Sequence, residues 1–284
     1  MMKKVTVITQ EEFESFLAIL KSRTGIVPRA THRDGIKEYL EKRISEKNTT
    51  VEGFKKELLS DEELFTELVN ESTVNETYFF REEKQFVFLR DKVFPQWKAV
   101  SGNMPIKIWS AACSYGEEPY SLALLAKSCG VKARITASDI NSIVLNHCKE
   151  GAFLRSSIRP VDGVAFSDLL TPYTRPDNTI TFTSEIKDLI KTQKINLSTL
   201  DAPETALFLP KNQNIVFLRN VFIYFNQELR AQVLRTIADT CLAPGGILFV
   251  SMSEIAQLGH DVVPPSLEKV FDGMIFYFRK KGEQ

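Results

Sequence analysis

The sequence predicts an α/β protein whose main unit is a parallel sheet covered on both faces by helices. Three observations carry this reading. From Pro105 onward, short Val/Ile/Phe runs alternate with amphipathic segments, the pattern of parallel strands joined by crossover helices. The first hundred residues instead show apolar positions at helical spacing. The chain then ends in two apolar runs separated by Asp272-Gly273, a hairpin that closes the parallel sheet with an antiparallel pair. That ending fits a nucleotide-binding fold of the methyltransferase variety better than a dehydrogenase.

The elements follow in order. Thr9 precedes Glu12 by three residues, and Phe13, Phe16, Leu17 and Leu20 follow at helical spacing, so a capping box opens the first helix. A second helix over about Arg33 to Lys47 carries Ile36, Leu40 and Ile44. "SDEELFTELV" offers Ser60 and Glu63 as another capping box, and "EEKQFVFLRDKVFPQW" reads as a helix running toward Trp97. After Pro105 come strand "IKIWSA", a helix from Glu117, strand "ARITASD", a helix from Asn141, strands "KINL" and "NIVFLRN", a helix from Asn226, and strand "GILFVSMS". Between Gly151 and Lys194 the alternation breaks. Three prolines and a strand-turn-strand signature around Arg175-Pro176-Asp177-Asn178 mark an insertion, read as a small antiparallel unit.

Composition narrows the function. Lys+Arg and Asp+Glu number 36 each, so no net field advertises nucleic acid or an anionic membrane. No apolar run reaches the ~20 residues that span a bilayer, and the N-terminus does not read as a signal peptide. The four cysteines are scattered, without a Cys-x-x-Cys pair; they read as free thiols of a cytosolic protein, and no metal site is expected.

The chemistry concentrates in "WSAACSYGEEPYSLA", Trp109 to Ala123. A diphosphate-binding turn needs several glycines, but here Gly116 stands alone and is followed by Glu117 and Glu118. Two carboxylates repel a diphosphate. They suit S-adenosylmethionine, which carries a sulfonium, an ammonium and ribose hydroxyls. The alternative role, capping the helix N-terminus, contributes ~0.3–1 kcal/mol; one glutamate is expected to cap while the other reaches ligand. Asp139 ends the second strand 23 residues after Gly116, close to the offset at which an acid takes ribose hydroxyls in such folds. Asn220 and Tyr224 follow the fourth strand, where a methyl donor and its acceptor meet. Upstream, Asn75, Thr77 and Arg81 lie in an aromatic context; the arginine there needs an anionic partner, a ligand carboxylate or else Glu82 or Glu83.

"NETYFFRE", "WSAACSYGEEPYSLA", "ASDIN", "KINL" and "RNVFIYF", in this order, resemble the CheR family of chemotaxis receptor methyltransferases over roughly residues 24–254. The resemblance implies a small helical N-terminal domain (1–80) and a Rossmann-like S-adenosylmethionine methyltransferase domain (81–284) with an inserted antiparallel β-subdomain (about 151–194). It implies methyl esterification of glutamate side chains on chemoreceptor cytoplasmic helices, with S-adenosylhomocysteine as product, in a cytoplasmic monomer. The family's cofactor contacts carry over to Asn75, Thr77, Arg81, Glu117 or Glu118, Asp139, Asn196-Leu197 and Asn220-Val221. Tyr115 departs from the family's small hydroxyl residue at that place. Arg81 and Tyr224 are the candidates for orienting donor and acceptor, since a carboxylate with a pKa near ~4.3 is already a nucleophile at neutral pH and the reaction is mainly positioning.

For the acceptor, residues 21–47 hold eight basic groups against four acids, a local balance of +4. Arg33, Lys37 and Arg43, with Lys47, share an arc of about 120° with Ile36, Leu40 and Ile44. This mixed face is expected to bind an acidic receptor helix; stems lying over the core edge are the plainer alternative. A nucleic-acid base methyltransferase would show an Asn/Asp-Pro-Pro-Tyr turn where this chain reads Arg219-Asn220-Val221-Phe222. A non-catalytic adaptor is disfavoured by the intact acidic and amide set. Cys113 has nothing beside it that looks like a base and is rejected as a nucleophile.

Overall fold

The structure, a computed structural model, describes residues 6–273 and 275–282. Helix α1, Gln10–Thr24, opens with the predicted capping box, Thr9 and Glu12 bonding reciprocally. It is followed by α2, Ala30–Lys47, α3, Val51–Ser60, and α4, Glu62–Ser72. The predicted Ser60 cap is corrected. Ser60 closes α3 with its hydroxyl turned back to Lys56 O and Glu57 O, while Asp61 caps α4 by accepting from Glu63 N and Leu64 N. A carboxylate at this place satisfies two orphan donors at once. These helices bury Phe13, Phe16, Leu20, Ile36, Leu40, Phe54, Leu58 and Leu68 in a core that ends at Val69. The helix toward Trp97 runs as α5, Glu83–Phe88, a π turn at Leu89–Val93, and α6, Phe94–Ser101.

The sheet begins with β1, Ile106–Ala111, and continues through α7, Glu117–Ser128, β2, Ala133–Asp139, and α8, Ser142–Glu150. The insertion contributes β3, Ala152–Leu154, paired antiparallel with β4, Thr179–Thr181. The turn at Arg175–Asn178 is present, with Arg175 N donating to Thr179 O, but it joins Thr174 and Ile180 by a single bridge. Then come β5, Ile190–Lys194, β6, Gln213–Leu218, β7, Leu242–Phe249, β8, Leu267–Asp272, and β9, Ile275–Lys280. "KINL" is therefore not a strand: β5 ends at Lys194, and Asn196 turns the chain by accepting from Ser198 N.

The seven-stranded order is β5-β2-β1-β6-β7-β9-β8. Strands β5 to β7 are parallel, and β9 runs antiparallel to both neighbours. Period-two alternation splits β6 between two cores. Ile215 and Phe217 pack toward Ile108, Leu122 and Phe249, whereas Val216 and Leu218 pack toward Phe222, Val233 and Phe276. Both faces are thus buried, which is why the parallel strands read as continuous apolar runs. Each large apolar side chain so buried contributes about 1.5–3 kcal/mol. No helix among the described residues is long and apolar enough to cross a membrane.

Candidate active site

The C-terminal ends of β1, β2, β5 and β6 open into one cleft of about 870 Å³, its mouth included. The loop after α4 and the residues just after α1 form its other wall. The cleft gathers most of the residues singled out in the sequence: Asn75, Thr77, Arg81, Glu118, Asp139, Asn196, Leu197, Asn220, Val221 and Tyr224. Ile26, Ile140 and Ile195 add apolar surface, suited to a flat heterocycle.

Glu118 and Glu117 divide as helix geometry requires, because successive residues point about 100° apart. Glu118 lines the cleft; its Oε1 accepts from Ser110 Oγ at 2.6 Å and its Oε2 pairs with Arg219 Nε at 2.7 Å. Glu117 does not line the cleft, so of the two glutamates Glu118 is the one that faces it. Glu117 is 3% exposed and accepts from Ser157 Oγ of the insertion at 2.8 Å, and its Oε2 has no partner. Burial pushes its carboxyl above the ordinary range, opposed by the Ser157 bond.

Asp139 is buried, and its oxygens accept from Ser114 N at 2.9 Å and Asn141 N at 3.0 Å. Burial raises its pKa against these backbone donors. Ser114 Oγ is buried in the same cleft without a partner. Asn196 lines the cleft, but its amide is partly committed: Nδ2 donates to Arg23 O at 2.8 Å while Oδ1 accepts from Ser198 N. Its second Nδ2 hydrogen remains available to a ligand while the first holds the link to α1. Asn75 has only weak bonds to Thr73 at 3.2 and 3.4 Å.

Arg81 forms no salt bridge with Glu82 or Glu83 among the described residues. Its Nη1 donates to Glu76 O at 2.8 Å and its guanidinium lies 5.4 Å from the centre of the Tyr78 ring. Tyr224 is half-buried beside the apolar core, and burial raises its pKa. Asn220 adopts φ 58, and Ala112 and Ser114 also stand in the left-handed region. Strained non-glycine backbone collects at this cleft, as it does at functional sites.

Sequence reasoning missed two groups. Arg219 is buried and bonds Glu118, Arg81 O at 2.6 Å and Gln85 Oε1 at 3.3 Å. Its signal was a charged residue directly after an apolar strand. Glu254 is fully buried; it holds the Asn220 turn by accepting from Asn220 N at 2.7 Å and Phe222 N at 2.8 Å. Burial raises its pKa against those bonds. Cys113, rejected as a nucleophile from the sequence, lines the cleft; its Sγ donates to Ser114 O at 3.6 Å, and the neighbouring Cys148 and burial raise its pKa.

None of Arg33, Lys37 and Arg43 lines the cleft. Arg33 pairs with Glu14, and Arg43 with Glu67 at 2.6 Å and Glu46 at 3.1 Å. Ile36, Leu40 and Ile44 in the shared arc are all buried. The mixed arc is therefore the core side of α2, with arginine stems reaching over its edge to acids on α1, α2 and α4. Arg33 and Arg43 are thus paired within the molecule, whereas Lys37 forms no ion pair among the described residues.

Glu118 and Asp139 facing the cleft, and a single glycine in the first turn, disfavour a diphosphate. The same lining accommodates a cationic sulfonium, and the orphaned Ser114 hydroxyl awaits a polar partner. With the antiparallel strand β9 set into the sheet, this defines an S-adenosylmethionine-dependent methyltransferase. Residues 75–265 match the family described as CheR methyltransferase, SAM binding domain, and the chain belongs to that family. It is 32% identical over 267 residues to chemotaxis protein methyltransferase 1 of Vibrio cholerae serotype O1, covering 87% of this chain and 90% of that protein. It is 34% identical over 173 residues to the chemotaxis protein methyltransferase of Borreliella burgdorferi, covering 58% of this chain and 59% of that protein. S-adenosylmethionine is its cofactor.

Proposed function

We propose that this chain converts glutamate side chains on chemoreceptor cytoplasmic helices to methyl esters, as part of chemosensory adaptation. The observation that carries the reading is the lining of the cleft. Arg81 and Tyr224 share it with the carboxylates, and it contains no histidine. Such a site is suited to positioning its reactants. That fits an acceptor ionised at neutral pH, because a glutamate carboxylate needs no deprotonation.

When bound, S-adenosylmethionine supplies an electrophilic methyl group on sulfur. In this reading Asp139, Ser114, Glu118 and the Asn220–Val221 backbone would hold it. Arg81 and Tyr224 orient the reacting groups. Arg29 belongs to the acceptor side: its guanidinium lies 5.8 Å from the centre of the Tyr224 ring, and no carboxylate pairs with it among the described residues. Val27 N donates to Tyr224 O at 3.3 Å, tying the loop that carries Arg29 to this turn. The same reading treats residues 1–80 as a helical unit, supported by its separate apolar core from Ile8 to Val69, and places the enzyme in the cytoplasm with its substrate helices.

The test is transfer of labelled methyl to a panel of receptor cytoplasmic fragments. The expected product is alkali-labile, as a carboxyl ester is. Label that survives alkali, or that appears only on nucleic acid, overturns the proposal.

A further inference from the structure

Arg81 stands between two non-glycine residues in the left-handed region, Phe80 at φ 56 and Glu82 at φ 59. Such a turn persists only where its surroundings over-determine it, so the groups that hold it also decide where Arg81 points. Two of them come from α7 and from the residue after β6. Phe80 N donates to Ser121 Oγ at 2.9 Å, and Arg81 O accepts from Arg219 Nη1 at 2.6 Å.

Ser251 Oγ, Met252 N and Gln85 Nε2 hold the Glu82 carboxylate, and the backbone after Arg81 is gripped by the inserted segment, 80 residues away along the chain. Asp162 Oδ2 accepts from Glu82 N at 2.8 Å, and Oδ1 accepts from Glu83 N at 3.0 Å. These two donors open α5, whose N-cap, Glu82, makes no side-chain cap bond of its own. Asp162 Oδ2 also accepts from Tyr78 Oη at 2.9 Å, and the Tyr78 ring is the surface against which the Arg81 guanidinium lies. One carboxylate therefore fixes both the backbone after Arg81 and the ring beneath its side chain. The next residue packs on the same turn. Gly163 has φ +80, and a Cβ there would fall 2.6 Å from Phe79 O and 2.9 Å from Phe80 Cβ. Ala165 N adds a bond to Glu83 Oε2 at 2.9 Å.

We propose that Asp162 is a positioning residue for methyl transfer, acting through Arg81, so that the inserted segment is a working part of the active site as well as an appended subdomain. This rests on the assignment of Arg81 to orienting the reactants.

The test is a double-mutant cycle in the full chain, using Asp162→Asn, Arg81→Ala and the pair. It reads turnover on receptor fragments, S-adenosylhomocysteine affinity by calorimetry, and melting. Asparagine keeps the volume but loses the charge and one acceptor, leaving its amide facing a backbone N–H. Asp162→Asn is expected to lower kcat at least tenfold in a folded protein. In the Arg81→Ala background it should change residual kcat and affinity by less than twofold, because the route it acts through is gone. Equal fold losses in both backgrounds, or unchanged kcat with Arg81→Ala inactive, overturn the proposal. Should Asp162→Asn fail to fold, Gly163→Ala presses on the same turn without removing a hydrogen bond, and the same loss and the same non-additivity are expected. Full turnover by Arg81→Ala removes the assignment of Arg81 itself, an outcome distinct from failure at Asp162 alone.

Discussion

Glu117 and Glu118 are adjacent in sequence yet meet opposite surroundings on the first turn of α7. Glu118 has a buried cation, Arg219, and a hydroxyl; Glu117 has one hydroxyl and an unpaired oxygen. Because burial raises the folded pKa of Glu117, the folded state binds its proton more tightly than the unfolded state. Its contribution to stability is therefore full below the unfolded value near ~4.3 and is lost as pH rises through the raised folded value. Glu117→Gln removes this term. The stability difference between wild type and variant should swing toward the variant across that window, with a slope of at most about 1.4 kcal/mol per pH unit. Denaturant unfolding of both proteins from mildly acidic to mildly alkaline pH measures it, and parallel curves would contradict the argument. Asp139 offers a second test. Asp139→Ala removes a carboxylate that faces the cleft and braces Ser114 N, so cofactor affinity should fall by ~1–3 kcal/mol in calorimetry. An unchanged dissociation constant would return Asp139 to holding Ser114 and Asn141 alone. Residue types and spacing made both acids legible; the direction of Glu117 depended on helix phase at a single position, which spacing does not carry.

At the scale of elements, α2 shows how tertiary packing redistributes a charge balance counted along one segment. The +4 balance of residues 21–47 is real, but the compensating acids lie on other elements: Glu14 on α1, Glu57 on α3, and Glu62 and Glu67 on α4. Charge counted along one segment omits partners that tertiary packing brings in. Neutralising Arg33 and Arg43 together should cost stability, about 0.2–1 kcal/mol for each exposed pair, and leave the substrate KM nearly unaltered. Arg29→Ala should do the reverse, raising KM by up to about fivefold, the same energy range expressed as a ratio, with cofactor affinity and melting unchanged. Its salt dependence should also be flatter than wild type, since an unpaired surface charge acts through a screened field. Equal KM values for the two variants would remove Arg29 from the acceptor side. Strands and helices with strong periodicity were legible throughout. The misses, Ser60 in place of Asp61 and "KINL" as a strand, fall at element ends, where one side-chain hydrogen bond decides where the chain turns.

Over the whole molecule, the active site is a seam. Thr24 and Ile26 come from the end of the first helix, Thr73 to Arg81 from the connecting loop, Glu118 from the first turn of α7, and the rest from strand ends and the turns that follow them. The sequence revealed these pieces separately; their joints are long-range contacts that leave no local pattern. Asn141 Nδ2 reaches Asn70 O and Thr73 Oγ1, and Asn196 Nδ2 reaches Arg23 O. The tightest joint is Gly25, which ends α1 at φ +68. A Cβ there would lie 2.2 Å from Leu229 Cδ2 and 3.3 Å from Ser198 Cβ. The leucine tip can move, but the left-handed backbone still costs a non-glycine residue about 1 kcal/mol or more. Because Thr24 and Ile26 flank this position, any shift that relieves the clash also reshapes the cleft. Gly25→Ala should therefore lower the melting temperature and weaken S-adenosylhomocysteine binding severalfold together. Ligand in hundredfold excess over its dissociation constant adds about 2.7 kcal/mol to wild-type stability. At that same ligand concentration the variant should gain less, so saturating ligand should widen the gap in melting temperature. A variant that melts early but binds ligand with wild-type affinity would show that the helical unit only rests against the cleft and does not shape it.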